Sequence, residues 1–542
     1  MTDIEIPLGK RTRTYRFFEM VPAIISYGAI ILLVVLSLIN PLLAAIYLLI
    51  VIITTLIKAS AIAYHTIIGH RKLQRAQKVD WHKRLEQLEN PGEHINSTYQ
   101  TNSFEYQDHL ANLHDIAANP HEYPKPSKIY NAVIVAMYNE TYDVLQPTIQ
   151  SLVETTYDKQ NLIVVIAYEE RGGESTEAVV RRLEREYKGV FKALLLVRHP
   201  KNIPNEVMGK GGNITFAGQY LRSWIKKQRI PSDDVIITTL DSDNRPHSAY
   251  FDYLTYEYVV HPDRQNLSYQ PVCLFMNNIW DVPAPMRVIA TGNSFWNIIS
   301  SMRPHTLRNF ASHSQPMKAL EDMNFWSTRT IVEDGHQYWR SYFHFDGNYA
   351  VVSIFVPIYQ DAVLSSTYVR TLKAQFIQLR RWAYGASDVP YVATRLFSKK
   401  RTAPLMGTLG RFIRLVDSHV SLSSAAILIT VGGWVPLLVN SEAARSIAAH
   451  QLPEVISGIQ RVAMIGLFIT IFLAFKMLPP RPLRYKRRRT VGMMLQWLLM
   501  PVTSLLYNSA SAFTAQTALL LGRYYDKFDV TEKATVKDKD KK

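Results

Sequence analysis

A single cysteine, Cys273, in 542 residues excludes an internal disulfide framework. The chain also lacks Cys and His at zinc-site spacing, a helix-turn-helix signature and the aromatic motifs of RNA-binding sheets. It is short of acid as well, with 45 Asp and Glu against 61 Lys and Arg and a formal charge of +16. Such an excess suits nucleic acid in general, but here the cations gather beside apolar blocks. Lys10-Arg11-Thr12-Arg13 precedes the first block, and residues 481–489 lie between two later ones. That is how basic residues distribute in cytoplasmic loops, so the charge is read as membrane topology and no nucleic-acid partner is expected.

Between residues 21 and 68 charge itself is scarce, with Lys58 the sole Lys, Arg, Asp or Glu. Residues 21–40 are long enough to cross a hydrocarbon core of about 30 Å as a helix. Pro41 follows, and residues 42–57 form a second run that extends past Lys58 to residue 68. A cleaved signal peptide would be one shorter run ending at small residues. The double-length block predicts a helical hairpin with its N-terminus in the cytoplasm. Residues 420–439 and 462–478 are further spans, 491–506 is a shorter one, and 509–521 either re-enters or lies at the interface. Five or six spans are expected, with residues 440–460 outside and 481–489 inside. The tail from Glu532, ending in alternating Lys and Asp, is expected to be disordered.

The middle of the chain alternates differently. Short β-branched runs at 132–136, 162–167, 193–197 and 235–240 are separated by amphipathic helical patterns at 144–155, 175–187 and 213–227. That alternation predicts a mostly parallel α/β sheet built by right-handed crossovers. Ligands of such sheets bind at the carboxyl ends of the strands. The residues arriving there are Tyr138-Asn139-Glu140, Tyr168-Glu169-Glu170 and Asp241-Ser242-Asp243. Asp241 and Asp243, leaving a buried strand at i and i+2, offer hard oxygen ligands for Mg²⁺ or Mn²⁺, although Asp-Ser-Asp is also an ordinary turn cap. Glu333-Asp334 opens a helix, where capping is the bland alternative. Gln378, Arg381 and Trp382 share one helix face, which would equally suit an amphipathic helix on the membrane surface.

Tyr138-Asn139-Glu140, Gly209-Lys210-Gly211-Gly212-Asn213, Asp241-Ser242-Asp243, Glu333-Asp334 and Gln378-Leu379-Arg380-Arg381-Trp382 follow the order of membrane-bound family 2 glycosyltransferases. The chain resembles that family, which includes the cellulose, chitin and hyaluronan synthases, over residues 128–391. The resemblance implies an α/β GT-A catalytic domain inserted between N- and C-terminal transmembrane helices, facing the cytoplasm. The implied division is 1–68 hairpin, 69–127 helical or irregular connector, 128–395 catalytic domain, 396–415 interfacial segment, 416–522 C-terminal helices and 523–542 tail.

It further implies an inverting displacement in which Asp334 is the general base. Asp241 and Asp243 would hold Mg²⁺ or Mn²⁺. Tyr138, Glu140, Glu169, Lys210, Asp241, Gln378 and Arg381 would contact the donor nucleotide, most naturally a UDP-sugar, and Trp382 and Glu333 the acceptor. The implied activity is extension of a β-linked polysaccharide with coupled translocation; the alternatives are addition of a single sugar to a lipid, or a scaffold that kept the fold without the chemistry. The chain departs from its relatives at Tyr168-Glu169-Glu170, where they carry paired Asp. It departs again at Asn309-Phe310-Ala311-Ser312-His313-Ser314, where cellulose synthases carry a Phe-Phe-Cys-Gly type acceptor motif.

Overall fold

The computed structural model describes residues 5–7, 9–95, 103–441, 451, 454–455, 457–458, 461, 471–525 and 533. Eight strands form one mixed sheet in the order β3-β2-β1-β4-β7-β6-β8-β5. β1 (Tyr130–Met137), β2 (Leu162–Glu169), β3 (Ala193–His199) and β4 (Val235–Asp241) are the parallel strands that the apolar runs predict. Helices cover both faces of β1, β2 and β4. Ala132, Ile134 and Ile237 pack under Ile214, Ala217 and Leu221 of the helix Lys210–Lys227, while Val133, Val135 and Ile236 face Leu145, Ile149 and Phe251. Burial on both faces explains why these runs do not alternate with polar residues.

Beyond β4 the sheet departs from the parallel expectation. β5 (Arg245–Pro246) pairs antiparallel with β8 (Ala350–Tyr359), and β7 (Ser314–Pro316) is antiparallel to both β4 and β6 (Leu267–Leu274). β6 and β8 run parallel, with a register shift between Pro271 and Cys273 where proline cannot donate to the ladder.

The register sets the site. Ala136 lies level with Ala167 on β2 and with Asp241 on β4, so residues 138, 169 and 241–243 all emerge at one edge. Asn213 ties the helix Lys210–Lys227 to that edge, its amide donating to Ala167 O at 2.8 Å and Met137 O at 3.3 Å.

The connector is packed against the sheet-bearing unit. Trp81, on the helix Trp81–Glu89, stacks on Tyr253 at 3.7 Å between ring centroids. His109 hydrogen-bonds Gln87 and Tyr256.

Among the described residues four helical stretches are long and apolar enough to cross a membrane: Arg13–Ile39, Pro41–Ala76, Leu405–Val439 and Arg488–Leu520. Asn40 separates the first two and caps the second through Leu42 N–H. The second continues past Lys58, whose ammonium pairs with Asp417 at 3.0 Å. Residues 491–506 and 509–521 belong to one helical stretch with a widened turn at Ser504–Ser509. Of the expected span at 462–478 only residues 471–478 are described, helical through 477, while residues 462–470 and most of the loop at 440–460 lie outside the described residues, as does the tail from Glu532 apart from Lys533.

Candidate active site

Two glycines explain how the acids come together. A Cβ on Gly211 would stand 2.4 Å from Ser327 O and 3.2 Å from Glu333 Cβ, and one on Gly212 would stand 1.7 Å from Glu206 Oε1. Bare backbone at the start of the helix Lys210–Lys227 therefore lets the segment leading to Glu333 and the loop carrying Glu206 press against it. Lys210, between Gly209 and these glycines, is pinned at the meeting point.

Its ammonium lies 2.9 Å from Asp241 Oδ1, 3.3 Å from Asp334 Oδ2 and 3.9 Å from Glu333 Oε1. Burial opposes that charge, but Asp241, Asp334 and Glu333 outweigh it and raise the Lys210 pKa above the ordinary lysine value. Burial would also raise Asp241, yet Lys210 and then Lys533 and Arg381 hold its carboxyl down to about 2. Glu333 is almost fully buried and its Oε2 has no hydrogen-bond partner. Burial, followed by the charge of Asp334, pushes its pKa well above the carboxylate range. Asp334, one-fifth exposed, is the more open of the pair and has His313 Nδ1 at 3.7 Å. His313 Nδ1–H donates to Phe310 O and its Nε2 accepts from Trp326, which fixes a neutral imidazole. The Asn309–Ser314 segment thus lies against Asp334, and Asn244 ties it to the Asp241 turn through Ser312 Oγ at 2.6 Å.

Asp243 is buried beside a carboxylate that sequence reasoning missed. Asp361, just beyond β8, donates its backbone N–H to Asp243 Oδ2 at 3.2 Å, while its own Oδ1 is buried without a partner. Burial and the Asp243 charge raise the Asp361 pKa, with Arg245 and Lys533 acting against them. Lys533, the second missed residue, lies 2.7 Å from Asp243 Oδ1 and 3.1 Å from Ser242 Oγ.

The residues present fit a divalent cation. Asp243 already holds a cationic group, and Asp361 leaves an unpartnered oxygen beside it. Among the described residues no three His, Cys, Asp or Glu side chains converge as a ready cage. That suits an ion which takes few protein carboxylates and completes its shell with phosphate and water.

The other expected residues are distributed unevenly. Glu140 folds back to accept from Tyr138 N–H at 2.8 Å, and the Tyr138 ring carries Arg171 at 5.3 Å. Glu169 emerges at the right edge but is buried between Arg171 at 2.9 Å and His199 at 3.2 Å. Gln378, Arg381 and Trp382 sit on the helix Tyr368–Ala383. Gln378 accepts from Gln375, the charge of Arg381 reaches Asp241, and Trp382 is 40% exposed with Phe275 at 6.1 Å.

No protein-family model and no curated protein matches the chain. Solved structures do. Mannosyltransferase PcManGT from Pyrobaculum calidifontis, in complex with GDP-Man and Mn²⁺, is similar over 85% of this chain and 100% of its own, at 14% identity and a TM-score of 0.40. S. aureus TarS 1-349 in complex with UDP-GlcNAc is similar over 73% of this chain and 93% of its own, at 13% identity and a TM-score of 0.34. At such TM-scores the site has to be read from its own residues.

Proposed function

We propose that this chain is a membrane-embedded, inverting glycosyltransferase of the family 2, GT-A type. It transfers a sugar from a nucleotide-diphosphate donor, UDP-linked by preference, to a growing β-linked polysaccharide and passes the product through its own helices. The observation that carries the reading is the juxtaposition of Asp334 and Asp241 about the single ammonium of Lys210. An accessible carboxylate thereby faces a strand-end carboxylate pair that is suited to a cation-bound diphosphate.

In the reaction, Asp334 accepts the proton of the acceptor hydroxyl. The hydroxyl oxygen bonds to the anomeric carbon as the bond from that carbon to the diphosphate oxygen breaks, and the electron pair leaves on the diphosphate. Arg381 and Gln378 brace that group, the guanidinium being charged at any working pH. Trp382 offers its exposed face to the C–H groups of the acceptor sugar. Asp243, with Asp361 beside it, would hold Mg²⁺ or Mn²⁺, which when bound offsets the negative charge of the diphosphate. Tyr138, Glu140 and Glu169 line the strand edge on the nucleotide side, and Glu333 lies beneath the acceptor position.

The test is incorporation of radiolabelled sugar by the protein in lipid vesicles. Common UDP- and GDP-sugars are supplied with Mg²⁺ or Mn²⁺, beside an Asp334→Asn control. High-molecular-weight product from one donor, absent with the variant, supports the reading. A small lipid-soluble product instead identifies single addition to a lipid. Full incorporation by Asp334→Asn, or no nucleotide binding by the wild type, removes the enzymatic reading.

A further inference from the structure

We infer that Lys210 is a positioning residue for Asp334, holding the base carboxylate in place against Asp241, rather than chiefly a nucleotide contact. The inference rests on the transferase reading and adds to it. Its grounds are geometric. The ammonium is within 4 Å of three carboxylates from two segments, the end of β4 and both members of the Glu333-Asp334 pair. It donates to both oxygens of Asp334, at 3.4 Å to Oδ1 and 3.3 Å to Oδ2. Its side chain is only 9% exposed, so this is a fixed contact and not a wandering surface lysine.

The local backbone is built for that contact. Gly211 exists as glycine because Ser327 O and Glu333 Cβ occupy the space of a side chain, and the same approach delivers Asp334 to the ammonium. The remaining polar group facing Asp334 is His313, whose proton is committed to Phe310 O. Lys210 is thus the one full cation within 4 Å of Asp334 among the described residues. With two carboxylates held side by side at a helix start, a cation between them and the strand-end acid fixes where Asp334 points. A lysine that served the nucleotide alone would need none of this enclosure.

The experiment uses the full chain in lipid nanodiscs, with Lys210→Met and Lys210→Arg compared with wild type. Sugar transfer is measured against donor concentration, and UDP binding with Mn²⁺ is measured separately. The positioning role predicts that Lys210→Met lowers kcat by about 100-fold or more while the donor KM and the UDP Kd change by less than about threefold. Lys210→Arg keeps the charge, so it recovers most of the rate.

A loss of UDP affinity of about tenfold or more, with kcat unmoved, overturns the inference and leaves Lys210 a nucleotide contact. If Lys210→Met does not fold, Lys210→Arg decides alone: UDP affinity within about threefold of wild type, with any loss confined to kcat, supports the role, and wild-type kcat with weakened UDP binding overturns it. Asp334→Asn run in parallel separates the two levels. Full activity in that variant defeats the base assignment itself, whatever Lys210 does.

Discussion

Asp243 and Asp361 arrive from β4 and β8, and burial, followed by the Asp243 charge, raises the cost of ionising Asp361. A buried carboxylate with an unpartnered oxygen is expensive to keep unless something cationic takes it up. Asp361→Asn should therefore weaken Mn²⁺ binding by about tenfold or more while leaving the cation-free protein as stable or more stable, by up to about 1 kcal/mol. Mn²⁺ titration followed by electron paramagnetic resonance, beside thermal melting in chelator, checks both halves. Unchanged affinity would make Asp361 a bystander. Gly211 offers a second test, because the atom that an added methyl meets is the backbone carbonyl of Ser327, which cannot swing aside. Gly211→Ala should cost about 2–3 kcal/mol in stability and lower turnover, since relieving the clash moves Glu333 and Asp334. An alanine variant with wild-type melting temperature and rate would show that the packing there is loose.

At the scale of elements, the loop after β3 is held by one imidazole. His199 lies 3.2 Å from Glu169 Oε2 and 2.9 Å from Glu206 Oε1, joining the end of β2 to the loop that covers Gly212. Burial opposes its charge, but the two glutamates prevail and raise the His199 pKa to about 9. A raised pKa of this kind contributes stability that is fully present below about pH 6.5 and disappears as pH climbs through about 9. His199→Gln should accordingly destabilise by up to about 3 kcal/mol at pH 6 and by little at pH 10. Melting curves of both proteins across that interval measure the difference, and a pH-independent gap would mean that the ring acts by packing.

The same elements show what sequence could convey. β1, β2 and β4 announce themselves because strands buried on both faces need continuous apolar runs. β6 hides behind Gln270-Pro271 and β7 is three residues long, so pairing with distant partners, not local pattern, makes them strands. For the same reason Asp241 and Asp334 were legible as motif members while Asp361 was not. Its neighbour Asp243 is 118 positions away, although an acid just beyond the apolar end of β8 was a signal of the kind that marked Asp241. Lys533 had no such signal. Glu169 stood at the expected edge, but its commitment to Arg171 and His199 depends on β3, and composition does not reveal it.

Across the whole molecule, the residues ahead of the helix Arg13–Ile39 are bound to the sheet-bearing unit. Glu5 pairs with the buried Arg340 at 2.7 Å and accepts from Ser327 Oγ at 2.6 Å, Ile6 is buried, and Arg329 donates to Ile6 O at 3.0 Å. On the helix that follows, Arg16 donates to the carbonyls of Leu519 and Leu520, where the last helix ends, and pairs with Glu19 at 2.8 Å. A cation on those terminal carbonyls takes up orphan acceptors and meets the negative end of the helix dipole. One short stretch therefore connects the apolar helix Arg13–Ile39 and the helix ending at Leu520 to the Ser327–Arg340 region from which Glu333 and Asp334 come. Glu5→Gln keeps the shape but removes the charge that Arg340 faces, and stranding part of a buried guanidinium should cost about 1–3 kcal/mol. Because Ser327 O also packs on Gly211, the loss should reach the site and lower sugar transfer several-fold without altering membrane insertion. Thermal melting and transfer assays in vesicles, with protease protection to verify topology, test this together. A variant that melts and transfers like wild type would mean that the N-terminal segment lies on the catalytic unit without holding it.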